Sequence, residues 1–323
     1  MSQLPVERMP QGILLFFIDG VGLGENSIAN PLVSASMPTL RKFLGGHPLT
    51  QEAIGKEMDG FLGALDACLG IAGLPQSATG QATLLTGQNI AKVLDRHWPG
   101  LPTKTIQERI LKFSIFKKLK ERGQKGYFAN YFDQGYFERA KMRRYPHSAT
   151  TWSVLAAQME VEQDISFLEA GKAVCHDMTG EWLMESQRTS SSISPIEAGR
   201  RLGRVAMEYD FTLYEYFLTD KAGHEKDQVK AEQVLAHIDQ ALAGILETFD
   251  FERNLLLFVS DHGNIEDLSV RGHSFNLVPL IGIGKGAKEV VHFAKDLTDL
   301  AKYLNWWSLQ KISKIKIASE IKI

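Results

Sequence analysis

The sequence is short of cysteine and of long apolar runs. Its 323 residues include two cysteines, Cys68 and Cys175, which have no CxxC spacing. This excludes a thiolate metal site and a disulfide framework, and we expect both residues to be small buried hydrophobes in a reduced compartment. The apolar run at 13–18 is far shorter than the ~20 residues of a membrane span. Because the N-terminus also lacks a signal-like apolar core, we expect a cytoplasmic protein that is neither exported nor anchored.

An excess of charge of either sign is also missing. The formal net charge is -2, with 23% charged and 44% hydrophobic residues, which is an ordinary globular composition. A nearly neutral chain has no bulk attraction for nucleic acid, so we expect no nucleic acid as a bulk partner, although a local basic patch could hold a small anion. The short apolar runs likewise lead us to expect no membrane as partner. Small anionic substrates remain compatible with this charge.

The glycine-rich segment FIDGVGLGE lacks a complete dinucleotide-binding fingerprint. Glu25 occupies the third glycine position of G-x-G-x-x-G, where a carboxylate would repel a pyrophosphate. No acidic residue lies between Glu25 and Glu52 to hold a ribose. The glycines are better explained as a sharp turn that lets Asp19, at the end of the apolar run, reach a ligand.

The apolar runs of strand length predict an α/β fold. They lie at 13–18, 211–219, 254–260 and 277–284. Continuous apolar strands are typical of a mainly parallel sheet that is buried on both faces. Helical patterns separate them: one begins with Ser194 as N-cap, Pro195 and Glu197, and another covers 227–249.

The middle of the chain has a different, mixed pattern. We therefore assign 1–95 and 195–305 to the core and 96–194 to an insertion or cap, part of which could join the core. Within 96–194 we expect a helix around 105–121, a strand at 125–132 and a structural turn at His176 and Asp177. The tail at 306–323 alternates lysine and isoleucine, which is compatible with an edge strand, a short helix or a poorly packed end.

Three apolar runs end in an aspartate. These residues are Asp19, Asp220 and Asp261. The carboxyl ends of parallel strands meet at one edge of a sheet, so the three carboxylates are expected to converge. Because three anions in one small site repel each other unless cations compensate, the pattern predicts a metal site.

Histidines close to these aspartates add nitrogen ligands. His224 follows Asp220 by one helical turn, His262 follows Asp261 directly, and His273 precedes the last apolar run. Oxygen and imidazole ligands without thiolates suit Zn or Mn, with Mg as a further option. Six candidate ligands exceed the needs of one tetrahedral ion, so we expect two divalent metal ions.

A nucleophile is available in the segment GLPQSATGQATLLTG. Ser77 lies in a turn that leads into a helix of small residues, where helix amides could also bind a phosphate oxygen. Thr79, Thr83 and Thr86 are alternatives on local grounds. A role for Ser77 as helix N-cap is the structural alternative.

Five motifs in this order resemble the alkaline phosphatase superfamily of metalloenzymes. They are FIDGVGLG, LPQSATGQATLLTG, DKAGH, SDHGNIED and GHSFNLVPLI, within about 13–90 and 195–285. The branch most resembled is that of cofactor-independent phosphoglycerate mutase and phosphopentomutase, together with shorter related metalloenzymes. The resemblance implies a three-layer α/β sandwich with a mainly parallel central sheet and an inserted cap.

The resemblance also implies how the ligands divide between the metals. Asp19, Ser77, Asp261 and His262 would surround one ion, and Asp220, His224 and His273 the other. Ser77 is preferred as nucleophile because it lies three residues before Gly80-Gln81, the offset that the mutases use before Gly-His. Gln81 stands in place of that histidine, so the role of this position does not carry over.

Substrate contacts are less defined. Arg143 and Arg144, with His147 and Ser148, are the best candidates because a guanidinium grips phosphate through two hydrogen bonds, although a solvated basic face is the simpler explanation. His97 could border the site or pack in a loop on Trp98. The arginine set with which the mutases hold a phosphoglycerate cannot be aligned with this chain.

Together these features predict a two-metal phosphoryl-transfer enzyme that acts on a small phosphomonoester through a phosphoserine at Ser77. Attack by water would make it a phosphatase, which the small cap favours. Attack by a second hydroxyl of the substrate would make it a phosphomutase of phosphoglycerate or phosphopentose type. A metal-binding protein without catalysis is the third possibility.

Overall fold

The computed structural model describes residues 8–320 apart from 57–58, 134, 143–145, 162–163 and 186–191, with side chains up to residue 312. A single sheet lies at its centre. The strands are β1 (Ile13–Ile18), β2 (Phe61–Leu65), β3 (Gly126–Phe128), β4 (Phe211–Tyr216), β5 (Leu255–Val259) and β6 (Val278–Gly284). Their order across the sheet is β2-β6-β5-β1-β4-β3.

Helices cover the sheet and connect its strands. In the first half of the chain they are α1 (Pro31–Ser34), α2 (Pro38–Phe43), α3 (Ser77–Thr86), α4 (Ile90–Leu94), α5 (Lys104–Phe113), α6 (Ile115–Glu121), α7 (Gly135–Lys141) and α8 (Ala149–Leu155). In the second half they are α9 (Ile165–Glu169), α10 (Glu181–Glu185), α11 (Pro195–Ala206), α12 (Leu218–Glu225), α13 (Gln228–Thr248), α14 (Ala287–Phe293) and α15 (Leu297–Glu320). Within the described ranges, none combines the length and the apolar character needed to cross a bilayer.

β1 is the central strand, and all six of its residues are buried. It pairs in parallel with β4 on one side and with β5 on the other, so that Ile13 lies opposite both Phe211 and Leu255. A strand inside a parallel sheet has helices on both faces, which explains why its sequence is continuously apolar. The predicted mainly parallel α/β fold is confirmed.

The apolar segment at 277–284 forms a strand, β6, whose direction is opposite to that of β1, β4 and β5. β6 lies antiparallel to β5, and β2 lies antiparallel to β6. The amino end of β6 therefore lies at the same edge of the sheet as the carboxyl ends of β1 and β5. Because β6 is antiparallel to β5, His273, which precedes β6, lies at the same edge of the sheet as Asp19 and Asp261.

Two hydrophobic layers pack against opposite faces of the sheet. One contains Leu14 and Phe16 of β1 together with residues of α11 and α13, such as Leu202 and Leu242. The other contains Leu15 of β1 with residues of α3, α6, α14 and α15. Alternate residues of a strand point to opposite faces, so the single apolar run of β1 serves both layers. The result is the three-layer sandwich that the resemblance implied.

α11 and α13 pack at unusually close range. A Cβ added to Gly199 would lie 1.9 Å from the Ala241 carbonyl oxygen, and one added to Gly244 would lie 2.0 Å from the Ile196 carbonyl oxygen. Only glycine leaves room for these two backbones. α11 starts as expected, because the Ser194 side chain accepts a hydrogen bond from the Glu197 amide and Pro195 is its first residue.

The region 96–194 contributes to both the sheet and the layer around α3. β3 extends the sheet beside β4, although it covers 126–128 rather than the expected 125–132. The single helix expected around 105–121 is instead two helices, α5 and α6. Ser114 separates them because its hydroxyl accepts from the first amides of α6 and contacts the Ser153 hydroxyl at 2.7 Å. The domain boundaries themselves stay a prediction.

From residue 306 to Glu320 the tail belongs to α15, so an edge strand is the wrong alternative for this part. The helix begins at Leu297 and continues through 306. Trp307 is fully buried, and its indole nitrogen donates a hydrogen bond to the Pro10 carbonyl oxygen at 2.9 Å.

Candidate metal centre

The acidic residues at the strand ends meet at one edge of the sheet. Asp19 follows β1 directly, and Asp261 comes two residues after β5. Asp220 differs from the expectation, because β4 ends at Tyr216 and the residues from Leu218 already form α12. Asp220 therefore lies in the first turn of a helix, with His224 one turn further along the same helix.

One cluster consists of Asp19, Asp220 and His262, whose ligand atoms all lie within 4.8 Å of one another. The His262 Nε2 atom lies 3.1 Å from Asp19 Oδ1 and 3.8 Å from Asp261 Oδ2. The Ser77 hydroxyl lies 2.9 Å from the same Nε2 atom. Four of the side chains that the resemblance implied for one ion therefore meet around His262 Nε2.

A second cluster consists of Asp220, His224 and His273, and shares Asp220 with the first. The Nε2 atoms of His224 and His273 are 3.3 Å apart. Their distances to the Asp220 carboxylate are 3.4 Å from His224 and 3.7 Å from His273. Because Asp220 lies between the two clusters, ions held in them would be neighbours.

The donor atoms fit divalent cations. Asp261 Oδ2 is buried and accepts no hydrogen bond from any residue that the structure describes, and the buried Asp19 Oδ1 has only the 3.1 Å contact with His262 Nε2 described above. Buried carboxylate oxygens without a donor are costly unless a cation faces them. Ligand atoms about 2.0–2.1 Å from a tetrahedral ion lie about 3.3 Å apart, and the observed separations are of this size.

The electrostatics of the centre point the same way. Burial raises the pKa of Asp261 well above its usual value, and the charge of Asp19 adds to the effect. For His262, burial disfavours the charged form, but the carboxylates of Asp261 and Asp19 outweigh it and raise the pKa to about 10. Burial and the neighbouring His262 lower the pKa of His273 to about 4. The carboxylates thus require positive charge close by, which a proton or a metal ion supplies.

Neighbouring groups orient these ligands. The His273 Nδ1 atom lies 2.7 Å from the Pro75 carbonyl oxygen, which turns Nε2 toward the cluster. Asn264 donates to Asp220 Oδ1 at 2.7 Å, and Gln81 donates to Asp19 Oδ2 at 3.1 Å. Sequence reasoning missed Asn264, and it left the role of Gln81 open. The only signals were their positions inside two of the motifs, SDHGNIED and SATGQ.

Gly20 allows the chain to turn immediately after Asp19. Its φ of +69° is in the left-handed region, and an added Cβ would lie 2.6 Å from Asp220 Oδ1. A side chain here would therefore both strain the backbone and displace a candidate ligand. The expected function of the first glycine of the segment agrees with this geometry.

Ser77 is the first residue of α3, and Gln76 is its N-cap. The alternative that Ser77 is an N-cap is therefore wrong. The competing threonines are turned away, because Thr79 donates to the Gln76 carbonyl oxygen, and Thr83 and Thr86 donate to carbonyl oxygens within α3. Among these four hydroxyls, Ser77 alone contacts His262. Its role as nucleophile stays a prediction.

A cavity of about 770 Å³ opens beside the centre. Asp19, Ser77, Asp220 and His224 form part of its wall. His97 is not among the lining residues, and its Nε2 atom lies 3.3 Å from the Ile71 carbonyl oxygen. This position does not support the expected substrate contact. Arg143 and Arg144 lie outside the described residues.

Sequence reasoning missed five charged residues of the cavity wall, which are Asp133, Arg139, Glu215, Lys221 and Glu225. Arg139 pairs with Asp133 through both terminal nitrogens, at 2.5 and 3.0 Å. Glu215 is buried and accepts a hydrogen bond from the Thr150 hydroxyl at 2.6 Å. Burial raises the pKa of Glu215 to about 7. A carboxylate inside the apolar run FTLYEYFLT was the available signal for Glu215.

His176 and Asp177 form the structural turn expected from the sequence. Asp177 accepts hydrogen bonds from the amides of Gly180 and Trp182. His176 also lines the cavity, which was not expected. Both cysteines are free thiols, and Cys175 is buried while Cys68 is partly buried.

A family model described as the metalloenzyme superfamily matches residues 187–317. Among curated relatives, the 2,3-bisphosphoglycerate-independent phosphoglycerate mutase of Methylobacillus flagellatus is 25% identical over 174 residues, which is 51% of this chain and 32% of that protein. The enzyme of the same name from Antithamnion sp. is 30% identical over 101 residues, 29% of this chain and 20% of that protein. The matches thus cover about a third or less of these relatives.

Solved structures show the same fold at lower identity. The alkaline phosphatase from the Antarctic bacterium TAB5 superimposes with a TM-score of 0.52 and 13% identity, over 94% of this chain and 98% of that one. The resemblance to metalloenzymes of alkaline phosphatase type is therefore confirmed by the family match, the relatives and the fold.

Proposed function

From this alkaline-phosphatase-like metalloenzyme fold and its family match, we propose that the chain is a two-metal phosphoryl-transfer enzyme acting on a small phosphomonoester. One observation carries the proposal: the Ser77 hydroxyl lies 2.9 Å from His262 Nε2, where two clusters of aspartate and histidine adjoin. A hydroxyl among cation ligands is the arrangement that nucleophilic attack on phosphorus requires.

Each candidate ligand has a place in this proposal. Asp19, Asp261 and His262, with Ser77, would hold one ion, and Asp220, His224 and His273 the other. Zn or Mn suits these donors, with Mg as an alternative. Two bound cations supply positive charge to the phosphate oxygens and favour the ionised form of the attacking hydroxyl.

The chain's own groups position the reaction. The Ser77 oxygen forms a bond to phosphorus while the bond from phosphorus to the leaving alcohol oxygen breaks, giving a phosphoserine and the free alcohol, with the proton lost by the serine hydroxyl balanced by the one gained by the alcohol oxygen. The first amides of α3 are available to a phosphate oxygen, since Ser77 is the first residue of that helix. Gln81 and Asn264 hold the carboxylates of Asp19 and Asp220 in place.

Hydrolysis is the favoured second step. In it, water attacks the phosphoserine and releases phosphate. A mutase must retain its dephosphorylated substrate, but the described cavity residues include only one arginine, Arg139, which is paired with Asp133, and one lysine, Lys221. The phosphomutase remains the second candidate because the matched relatives are phosphoglycerate mutases.

We place this activity in the cytoplasm, since both cysteines are free thiols. We further propose that 1–95 and 195–305 form the catalytic core and that 96–194 covers the cavity. The wall residues Tyr136, Ser148 and Trp182 all come from this covering region.

The test compares Ser77→Ala with Thr79→Ala, a variant of the same helix whose lost hydroxyl faces the Gln76 carbonyl oxygen. Mn- or Zn-loaded proteins are supplied with ³²P-labelled sugar phosphates, phosphoglycerates and nucleotides. Phosphate release and isomerisation are scored in parallel, and acid-quenched protein is analysed for phosphoserine. Wild type and Thr79→Ala should be labelled, and Ser77→Ala should lose labelling and about 10³-fold in kcat/KM.

Three results would contradict parts of the proposal. Full activity in Ser77→Ala would eliminate the nucleophile assignment. Isomerisation in place of phosphate release would replace the phosphatase by the mutase. Metal binding without turnover of any substrate in wild type would leave a metal-binding protein without catalysis.

A further inference from the structure

The cavity beside the metal centre has an aromatic wall. Phe217 stacks on His176 with ring centroids 5.1 Å apart and planes within 10°. His176 in turn contacts Trp182 at 4.9 Å. All three rings line the cavity, and Phe217, at its outer end, is 38% exposed. We call these three contiguous rings, Phe217, His176 and Trp182, the Phe217 platform.

The platform is joined to the metal centre by the chain itself. Phe217 is the N-cap residue of α12, and Asp220 lies in the first turn of that helix. A phosphate held near Asp220 would therefore have its attached alcohol within reach of the Phe217 ring. His176 covers one face of this ring and limits its motion, so little side-chain entropy remains to be lost when a ligand stacks on the other face.

Further aromatic residues line the same cavity. Phe132 and Tyr136 contact each other with centroids 4.5 Å apart, and both are part of the wall. The guanidinium of Arg139 is held by the carboxylate of Asp133, which reduces its attraction for a second anionic group. Apart from the candidate ligands and this ion pair, the described lining carries Glu215, Lys221 and Glu225 as charged residues, together with six planar rings. Its volume of about 770 Å³ also exceeds what a three-carbon phosphate fills.

We propose that this cavity selects phosphomonoesters whose alcohol carries a planar ring, such as a nucleoside 5′-monophosphate or an aryl phosphate, with the Phe217 platform as stacking surface. This inference rests on the proposed phosphoryl-transfer function and names its substrate class. Stacking of a base on an aromatic side chain contributes about ten-fold or more in affinity.

The test measures equilibrium binding to Mn-loaded Ser77→Ala protein by calorimetry. The ligands are adenosine 5′-monophosphate, phenyl phosphate, glycerol 1-phosphate and 3-phosphoglycerate. We expect at least one of the two ring-bearing esters to bind about ten-fold or more tightly than the two others. Preference for the nucleotide over phenyl phosphate would assign a nucleoside, and the reverse would assign an aryl group.

Variants of the platform make the test specific. Adding Phe217→Ala should remove the preference and leave glycerol 1-phosphate binding within about two-fold, whereas Phe217→Tyr should keep the preference. Phe167→Ala is the matched control, because Phe167 is 37% exposed and does not line the cavity. If Phe217→Ala does not fold, as judged by circular dichroism, Phe217→Leu replaces it, since leucine keeps apolar bulk without a ring face.

Two outcomes would overturn the inference. One is binding of both ring-bearing esters no tighter than that of glycerol 1-phosphate or 3-phosphoglycerate. The other is a preference that persists without the Phe217 ring. Since Ser77→Ala binding needs no turnover, these outcomes are separate from failure of the proposed function, which would appear as wild-type protein that neither hydrolyses nor isomerises any ester.

Discussion

At the scale of single residues, Glu215 is the most unusual group outside the candidate ligands. It lies in β4 among apolar residues, is 6% exposed, and has the Thr150 hydroxyl as donor. Burial, together with the charge of Asp19 and against the effect of the Thr150 hydrogen bond, raises its pKa from 4.5 to about 7. A buried acid of this kind links the stability of the fold to pH.

The sign of that link follows from the direction of the shift. Because the folded state holds the proton more tightly, the stabilising effect is fully present below pH 4.5 and is lost as pH rises through about 7. Glu215→Gln keeps an acceptor for Thr150 but has no charge to bury. We expect its free energy of unfolding, relative to wild type, to rise by up to about 3 kcal/mol between pH 4.5 and 8.

Urea denaturation of chelator-treated protein at several pH values measures this difference. Glu208→Gln, which alters an exposed glutamate, serves as control and should run parallel to wild type. Parallel profiles for wild type and Glu215→Gln would show that the Glu215 carboxyl does not titrate differently in the folded state.

At the scale of elements, the contact between α11 and α13 leaves the least room for a larger side chain. Gly199 and Gly244 bring the two helix backbones together, and both sites lack room for a methyl group. α13 leads directly toward β5, and α11 leads toward β4, so this contact also fixes two strands that deliver candidate ligands. Separation of the helices would loosen the edge at which Asp220 and Asp261 lie.

Gly199→Ala should therefore destabilise the protein, although alanine is the better helix former. The added methyl group would meet the Ala241 carbonyl oxygen at 1.9 Å, and overpacking of this kind costs about 3 kcal/mol. Gly60→Ala is the control, since its nearest neighbouring atom would lie at 3.6 Å. The midpoints of urea unfolding report the effect. Equal midpoints for both variants would mean that the helices move apart at little cost.

The strands and helices also show how much of the fold could be predicted from the sequence alone. The ends of β1 and β5 were predicted to within one residue, because the sequence of a strand that is buried on both faces is a continuous apolar run. The predicted strand at 211–219 was three residues too long, because β4 ends at Tyr216. The apolar residues Phe217 and Leu218 that follow it lie at the start of α12 and do not belong to the strand. The break at Ser114 depends on its contact with Ser153, which no local pattern contains.

The same distinction holds for the candidate site. The aspartates and histidines could be found because the chemistry of a cation site limits the residue types and the strand ends limit their positions. Gln81, Asn264 and the platform at Phe217 could not. Their roles come from contacts between segments far apart in the chain, such as the 62 residues between Gln81 and Asp19.

At the scale of the whole molecule, the candidate metal centre joins segments that belong to different layers. Asp19 and Asp261 follow neighbouring strands, and Ser77 comes from a helix on one face of the sheet. Buried carboxylates that repel one another destabilise the fold until cations balance them. Because the assembled ligands exist only in the folded chain, bound ions should stabilise it.

Removal of metal should therefore lower Tm. Each ion at about one hundred times its dissociation constant stabilises by about 2.7 kcal/mol, so two ions contribute about 5 kcal/mol, which corresponds to a Tm shift of roughly 8 °C for a chain of this size. Calorimetry before and after chelation, followed by reloading with Mn or Zn, measures the shift. Elemental analysis should find about two ions per chain in wild type and about one in His273→Ala. Trace metal and an unchanged Tm would contradict the two-metal centre.

The central position of β1 also sets the order of events during synthesis. Gly20, just after β1, hydrogen-bonds to Asp261, which is 241 residues away in the chain. At translation rates of about 5–20 residues per second, roughly 10–40 s pass between the synthesis of β1 and that of β4, and still longer before β5 is synthesised. Such distant pairing folds slowly and leaves an aggregation-prone strand exposed. The nascent chain should therefore depend on chaperones, and metal uptake should be a late event in its maturation.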